Sequence, residues 1–532
     1  MAYLRIITDN GEHVVPCPPG MSLREILVNA GFPVRAGCGG IGACGLCIVR
    51  IQAGDTDPPA ANELRRLRPE QISKGDRLAC QVYPCGDLTL TIPSPLLAAD
   101  WRSLPPDADW QPSRDERHRK AETALGMAID LGTTRIRLAL WDLNTGERLA
   151  GRIGPNPQAV FGSDIMNRLN AACESLERAA EIGQLTRNAI GAALIDIAEI
   201  EGYRPAKINR VVIVGNSVML TLLTGRNYDL LLKPAHWTGA IDCQPEETDS
   251  WRRLWGISDQ ASIDVVAPLA GFIGSDLLAA ALATRLTEQT AGALLIDFGT
   301  NSEIALWDGT TLWATSAAGG PAFEGCGISC GMPAEPGAIH RFEPQSHPAG
   351  FRFEVLGGGE PLGICGSGLV DIIANLRRAG ILNNIGKFLP DIGDQGLAII
   401  KGRTGLALTK RDIDGFQRAK AAIAAGIRTV MSKAGLTPEK LQRICICGAF
   451  GRYLDTGNAR EIGMLPQVDP DRVELCGNSA LTGCEILLIH PDRSAAMDKM
   501  RNIARIINLA QVPEFEEQFI SALYLRPMAL EP

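Results

Sequence analysis

Apolar residues recur along this chain in two rhythms. Residues 3–8 and 13–17 read as two strands; Asp9-Asn10-Gly11-Glu12 between them carries an Asn-Gly turn signal. Ser22 with Glu25 three residues on is a capping box opening a short helix, which Gly31 closes. An apolar strand is expected over 47–51, and 88–92 alternates apolar and polar. Between 94 and 124 the rhythm stops. Pro95, Pro105, Pro106 and Pro112 punctuate the segment and a charge run fills 113–120, which predicts a solvated linker. From 126 onward the pattern is βα-rich. Residues 412–434 place apolar side chains at 413, 416, 423, 427 and 430 on one helical face. A buried strand over 443–447 then runs into Gly448-Ala449-Phe450-Gly451.

The βα-rich part contains an internal echo. Met127-Ala-Ile-Asp130-Leu-Gly132-Thr133-Thr134 recurs as Leu294-Leu-Ile-Asp297-Phe-Gly299-Thr300-Asn301, and each copy is followed by a second strand. The copies stand 167 residues apart, too far for a solenoid repeat. The spacing predicts two duplicated α/β halves, about 125–290 and 291–532, facing one another. Glycine and hydroxyl residues at such a bend put backbone N–H groups and a threonine hydroxyl around an anion. An Asp just before the bend can hold Mg²⁺ through water. One copy would be an ordinary turn; two at equivalent strand ends would grip the phosphates of one nucleotide from both sides. The glycines of 448–451 let the backbone approach an adenosine closely.

Composition sets the frame for these motifs. At 532 residues the chain needs several cores. With 45% hydrophobic and 21% charged residues it reads as an ordinary soluble protein. A net charge of -8 argues against nucleic-acid binding. No apolar run reaches membrane-spanning length, and the first residues lack a signal-peptide layout, so a cytoplasmic protein is expected. The 15 cysteines then read as reduced thiols plus one special group rather than a disulfide framework.

That group is Cys38, Cys44, Cys47 and the distant Cys80, a C-x5-C-x2-C pattern with a fourth thiol. Plant-type ferredoxins hold a [2Fe–2S] cluster with C-x4-C-x2-C and a distant fourth cysteine; this chain has one more residue in the first gap. Zinc favours short paired spacings used twice, and only one C-x2-C pair lies in the region. Glycines at 37, 39, 40, 42 and 45 suit a loop wrapping a cluster. Together with the strands and the capped helix, this predicts an α+β β-grasp ferredoxin domain over 1–93, a linker over 94–124, and a duplicated α/β domain over 125–532. Cys17 and Cys85 fall outside the pattern. Cys326 and Cys330 form C-x3-C, and with Cys365, Cys445 and Cys447 they read as buried thiols. The six histidines have no metal spacing.

The two Asp-x-Gly-Thr hairpins and the Gly-Ala-Phe-Gly ending resemble the superfamily of sugar kinases, actin and the heat-shock ATPase chaperones. On that resemblance 130–134 and 297–301 are its two phosphate loops and 448–451 its adenosine loop. A ferredoxin domain joined to an actin-like ATPase resembles the reductive activators of corrinoid proteins. Asn156-Pro-Gln158 with Gly162-Ser-Asp164, Val214-Gly-Asn216-Ser-Val-Met219, Pro268-Leu-Ala-Gly271, 317–325 and 363–371 are similar to segments of that family. Longer members carry an extra small domain after the linker, whereas here Asp130 follows the linker almost at once. Some related activators, those of radical dehydratases and aromatic-ring reductases, hold a [4Fe–4S] cluster between two subunits, an alternative role for Cys326 and Cys330.

The resemblance implies reduction of an inactive Co(II) corrinoid protein of a methyltransferase system to Co(I). Plant-type clusters sit near roughly −400 mV, and the cobalt couple is expected lower. A shortfall of about 100 mV costs roughly 2.3 kcal/mol for one electron, which ATP would offset by favouring one of two conformations. Asp130 and Asp297 would organise Mg²⁺ and water. Gly132, Thr133, Thr134, Gly299, Thr300 and Asn301 would cradle phosphate, with Gly448 and Gly451 flanking adenosine. Glu303 and Glu324 are further candidates for positioning water. The partners implied are the corrinoid protein and an upstream low-potential electron donor; a homodimer is left open. The rival readings are a small-molecule kinase with an accessory cluster and a redox- or nucleotide-sensing binding protein. A nicotinamide-linked reductase would need a strand-linked G-x-G-x-x-G, which 363–368 does not match.

Overall fold

A computed structural model describes residues 2–528 apart from 9–10, 33, 35–39, 41, 43–44, 46, 68, 93–100, 105–123, 163, 320, 326, 346–349, 390–391, 394–395 and 401–405. The first unit is a five-stranded sheet with spatial order β2-β1-β5-β3-β4. Its strands are β1 (Ala2–Thr8), β2 (Gly11–Cys17), β3 (Ile48–Ala53), β4 (Asp76–Leu78) and β5 (Leu88–Thr91). The hairpin β1–β2 is antiparallel, and β5 lies parallel to β1. The helix Leu23–Asn29 starts where the capping box places it: Ser22 accepts from the Glu25 N–H and Glu25 closes back on Ser22. Its buried Leu23, Ile26 and Leu27 pack on Leu4, Ile6, Leu88 and Leu90, the inward-facing alternation of the sheet.

Two six-stranded sheets follow, with matching topologies. In the first, β7 (Leu125–Leu131), β8 (Arg135–Asp142) and β9 (Glu147–Pro155) form an antiparallel meander. β10 (Ile208–Gly215) adds parallel to β7, and β11 (Ser262–Val265) parallel to β10. The second sheet repeats this with the meander β12 (Ala293–Phe298), β13 (Ser302–Trp307) and β14 (Leu312–Ala317). After an excursion, β20 (Arg443–Cys447) adds parallel to β12 and β21 (Val473–Gly477) parallel to β20. The excursion holds a three-stranded sheet of β15 (Ala338–Gln345), β16 (Gly350–Val355) and β17 (Gly363–Ile364), then a small pair β18 (Leu397–Ala398) and β19 (Ala407–Leu408). The sheets differ at one edge. β6 (Arg102–Ser103) closes the first antiparallel to β9, and β22 (Ala504–Ile506) closes the second parallel to β14.

The strand β6 corrects the expected linker of 94–124. Leu104 is buried, and both Leu104 and Trp101 pack where Gly151 and Gly154 leave room; a Cβ on Gly154 would stand 2.7 Å from the Trp101 ring. A two-residue strand has no periodicity to read, and the prolines around it mask the two apolar anchors. The charge run 113–120 lies outside the described residues.

Two helices join the halves. Ser275–Ala283 leaves the first half after β11, and Ser479–Ile489 follows β21 yet packs on β7 and β10 of the first. They cross at Gly483, where a Cβ would fall 1.9 Å from the Ala279 carbonyl oxygen. The amphipathic helix Lys410–Ala434 buries Ile413, Phe416, Ile423, Ile427 and Val430 as the spacing requires, under a capping box of Thr409 and Asp412.

Candidate functional site

The two Asp-x-Gly-Thr turns meet between the halves. In each, a glycine N–H donates across the bend, from Gly132 to the Arg135 carbonyl and from Gly299 to the Asn301 carbonyl, both at 3.0 Å. Thr134 and Thr300 touch through their hydroxyls at 3.0 Å. Both also donate to one Glu324 carboxylate oxygen, at 3.0 and 2.7 Å. Glu324 therefore bridges the loops, and the ion pair of Arg135 with Glu335 spans the halves beside it.

The first loop is fixed from behind. Arg168 is buried and donates to the Thr133 carbonyl at 2.7 Å and the Gly162 carbonyl at 2.9 Å. Burial pulls this guanidinium down to about 10, against the charges of Asp164 and Glu324. Asn156 donates to the Gly132 carbonyl at 2.9 Å. The second loop is backed by Gly448, whose φ of 86° lies in the left-handed region. A Cβ there would meet the Phe298 carbonyl at 2.5 Å and an Asp297 carboxylate oxygen at 2.8 Å. Gly448 thus seats the start of 448–451 directly on the second loop. Gly451 lies over Ile446, and Phe450 packs on Phe298 and Phe323 with ring centroids 4.9 and 5.1 Å apart.

Below the loops four carboxylates converge. Asp130 is buried and pairs with Arg137 at 3.1 Å. Burial holds its carboxyl above the ordinary value, opposed by the Arg137 charge. Asp297 is pushed up to about 6 by burial and then by the Asp130 charge. Asp276 is raised by burial and by Asp297 and Asp130. Glu303, opposite Asp297 in the strand register, is raised by burial, Asp276 and Asp297. Arg137 offsets only part of the charge of these four acids; carboxylates reaching an ion through its water shell are what Mg²⁺ takes. The sequence reading missed Asp276. Its one signal is that Gly274-Ser275-Asp276 repeats the triplet of 162–164. Arg137 and Arg168 were missed as well, since buried arginines leave no periodic mark.

In the first unit the Cys47 and Cys80 sulfurs are buried and 3.4 Å apart. Gln81 points its amide at the Cys80 sulfur at 3.6 Å, and Gly40, Gly42 and Gly45 all have positive φ. Two sulfurs so placed fit ligands of one iron. Cys38 and Cys44 lie outside the described residues, as does Cys326. Cys330 donates to the Ala407 carbonyl and Cys365 to the Ile339 carbonyl, each at 3.3 Å. Gly366 and Gly368 begin a helix whose backbone approaches Phe323 and Ile339, so 363–368 is a packing motif.

Residues 7–85 match the model of the 2Fe-2S iron-sulfur cluster binding domain, 125–289 the RACo middle region, and 291–532 the C-terminal ASKHA domain of RACo. The chain is 30% identical to the corrinoid activation enzyme RamQ of Eubacterium limosum over 77% of this chain and 71% of that protein. This chain belongs to the RACo family. A second RACo-like relative, the [Co(II) methylated amine-specific corrinoid protein] reductase of Methanosarcina barkeri, is 28% identical over 75% of this chain and 76% of its own. The solved reductive activator for corrinoid, iron-sulfur protein superposes with a TM-score of 0.69 at 26% identity, covering 100% of this chain and 99% of that one. The expected fold holds: a [2Fe–2S] ferredoxin-type domain precedes an actin-like ATPase fold. The RACo middle region corresponds here to β7–β11, the first of the two repeated sheets. No helix among the described residues is long and apolar enough to cross a membrane.

Proposed function

We propose that this chain is an ATP-dependent reductive activator that returns the cobalt of a corrinoid protein from Co(II) to Co(I) by one-electron transfer. The observation that carries this is the presence, in one chain of the RACo family, of two adjacent buried thiols and of two facing Gly-Thr loops over four carboxylates. Cys38, Cys44, Cys47 and Cys80 would hold the [2Fe–2S] cluster, which supplies a low-potential electron. Cys47 and Cys80 are close enough to share one iron. A Mg²⁺-bound ATP would lie between the halves. Gly132, Thr133 and Thr134 on one side, and Gly299, Thr300 and Asn301 on the other, would cradle its phosphates. Asp130, Asp297 and Asp276 would organise the hydrated ion.

Thr134, Thr300 and Glu324 close the cleft on themselves through direct hydrogen bonds. A phosphate entering there exchanges those bonds for its own, and Glu324 is left to orient water. ATP therefore distinguishes two arrangements of the halves, which linkage requires if it is to bias an electron transfer. Binding energy equal to about 2.3 kcal/mol offsets each 100 mV of unfavourable potential.

The test is anaerobic. The chemically reduced protein is mixed with a Co(II) corrinoid protein from the same organism, and Co(I) absorbance is followed with and without Mg-ATP. ATP-dependent Co(I) formation is expected, and Asp297→Asn should abolish the ATP dependence while the cluster spectrum stays intact. Full ATP-dependent activity in that variant would overturn the role of Asp297.

A further inference from the structure

The second half carries thiols that neither the cluster nor the cleft uses. Cys445 and Cys447 alternate on β20 and face the core of the crossing helices, in one apolar cluster with Leu277 and Leu481. Ile444 and Ile446 between them face the opposite core. On β21, Glu474 pairs with Cys445 and Leu475 with Ile446, and then the register breaks. Cys447 pairs with Gly477, leaving Cys476 as the extra residue of a bulge. A bulge re-aims a side chain, and here it brings the Cys476 thiol to that of Cys445. The donor atoms of Cys445, Glu474 and Cys476 all lie within 4.8 Å of one another. Cys447, two residues on from Cys445, faces the same core. Cys445 and Cys447 are fully buried, whereas Cys476 is half-buried at the sheet edge and reachable from solvent. Arg443 grips the Glu474 carboxylate with two hydrogen bonds of 2.8 and 2.6 Å.

We infer that Cys445, Cys476 and Glu474 form a binding site for one thiophilic d¹⁰ metal ion of the zinc class, with water as its fourth ligand. Zinc takes thiolate sulfur at about 2.3 Å and carboxylate oxygen at about 2.1 Å, so its ligands stand close together, as these do. Binding releases one proton from each ligating thiol to solvent. Two thiolates and a carboxylate around a dication leave one excess negative charge, which the Arg443 guanidinium offsets. Arg443 is the outer partner that orients the carboxylate, the arrangement metal sites use. The ion would tie β21 to β20 one residue ahead of Gly448, where the chain turns onto the second phosphate loop. The site stands apart from the ferredoxin thiols and does not depend on the redox reading.

The test uses the full-length protein with its cluster intact, prepared anaerobically, incubated with zinc and desalted. Zinc and iron are then measured together by mass spectrometry. One zinc per chain is expected, with iron unchanged. Cys445→Ser and Cys476→Ser should lose that zinc and keep the iron, while Cys243→Ser, a buried thiol of the first half, should retain both. Arg443→Gln leaves every thiol in place and should weaken zinc affinity about 10–100-fold. Zinc uptake equal in the wild type and the two serine variants would overturn the site. So would peptide mapping that finds Cys476 joined to Cys445 or Cys447 in a disulfide that persists through zinc exposure.

Discussion

At the scale of the residue, the cleft is governed by carboxylates placed closer than they tolerate alone. Asp297 has an ordinary value of 3.8 and is pushed up to about 6, so the folded chain binds that proton more tightly than the unfolded chain does. The group favours folding below its unfolded value and loses that advantage as pH rises from about 4 to about 6. A bound cation reverses the penalty. The rise in melting temperature caused by Mg-ATP should therefore be larger at pH 8 than at pH 6, read by thermal denaturation across both conditions. Asp297→Asn should raise the melting temperature without ligand at pH 8 and remove most of the Mg-ATP increment. A ligand increment that ignores pH would contradict the cation role. Asp130 and Asp297 were legible because each sits at a repeated strand end. Asp276 was not, because its carboxylate arrives from a helix that only the fold brings under the loops.

At the scale of the element, most boundaries follow from local rules. The capping box at Ser22 starts its helix where the sequence places it, and each Asp-x-Gly-Thr hairpin forms with its glycine N–H donating across the bend, three residues on in the first and two in the second. Gly448 differs, because its sequence context is an ordinary strand-to-helix turn. Its positive φ and its contact with the Phe298 carbonyl make it the joint between 448–451 and the second loop. Gly448→Ala should destabilise the protein by about 1–3 kcal/mol through backbone strain. It should also weaken nucleotide binding, measured by calorimetry, while Gly256→Ala at an open helix end should leave binding unchanged. The strand β6 shows the opposite limit: its two residues carry no pattern, and their pairing with β9 alone makes them a strand.

At the scale of the whole molecule, the halves are joined by two helices that trade sides. Gly483 lets Ser479–Ile489 cross Ser275–Ala283 with no room for a methyl group. Gly483→Ala should cost about 1–3 kcal/mol by overpacking, lowering the melting transition of the ATPase fold while the cluster spectrum stays intact. Loss of ATP-dependent reduction in that variant, beyond its loss of stability, would mark the crossing as the hinge. The sequence by itself determined the ferredoxin unit and the duplicated hairpins, because cluster spacing, capping and strand-end motifs are local and repeat in place. Tertiary structure alone decided that Glu324 bridges the two loops, that Asp276 and Glu303 join Asp130 and Asp297, and that a bulge gathers Cys476 to Cys445. Those groups come from distant segments, and only the packing of two sheets around crossed helices sets their separations.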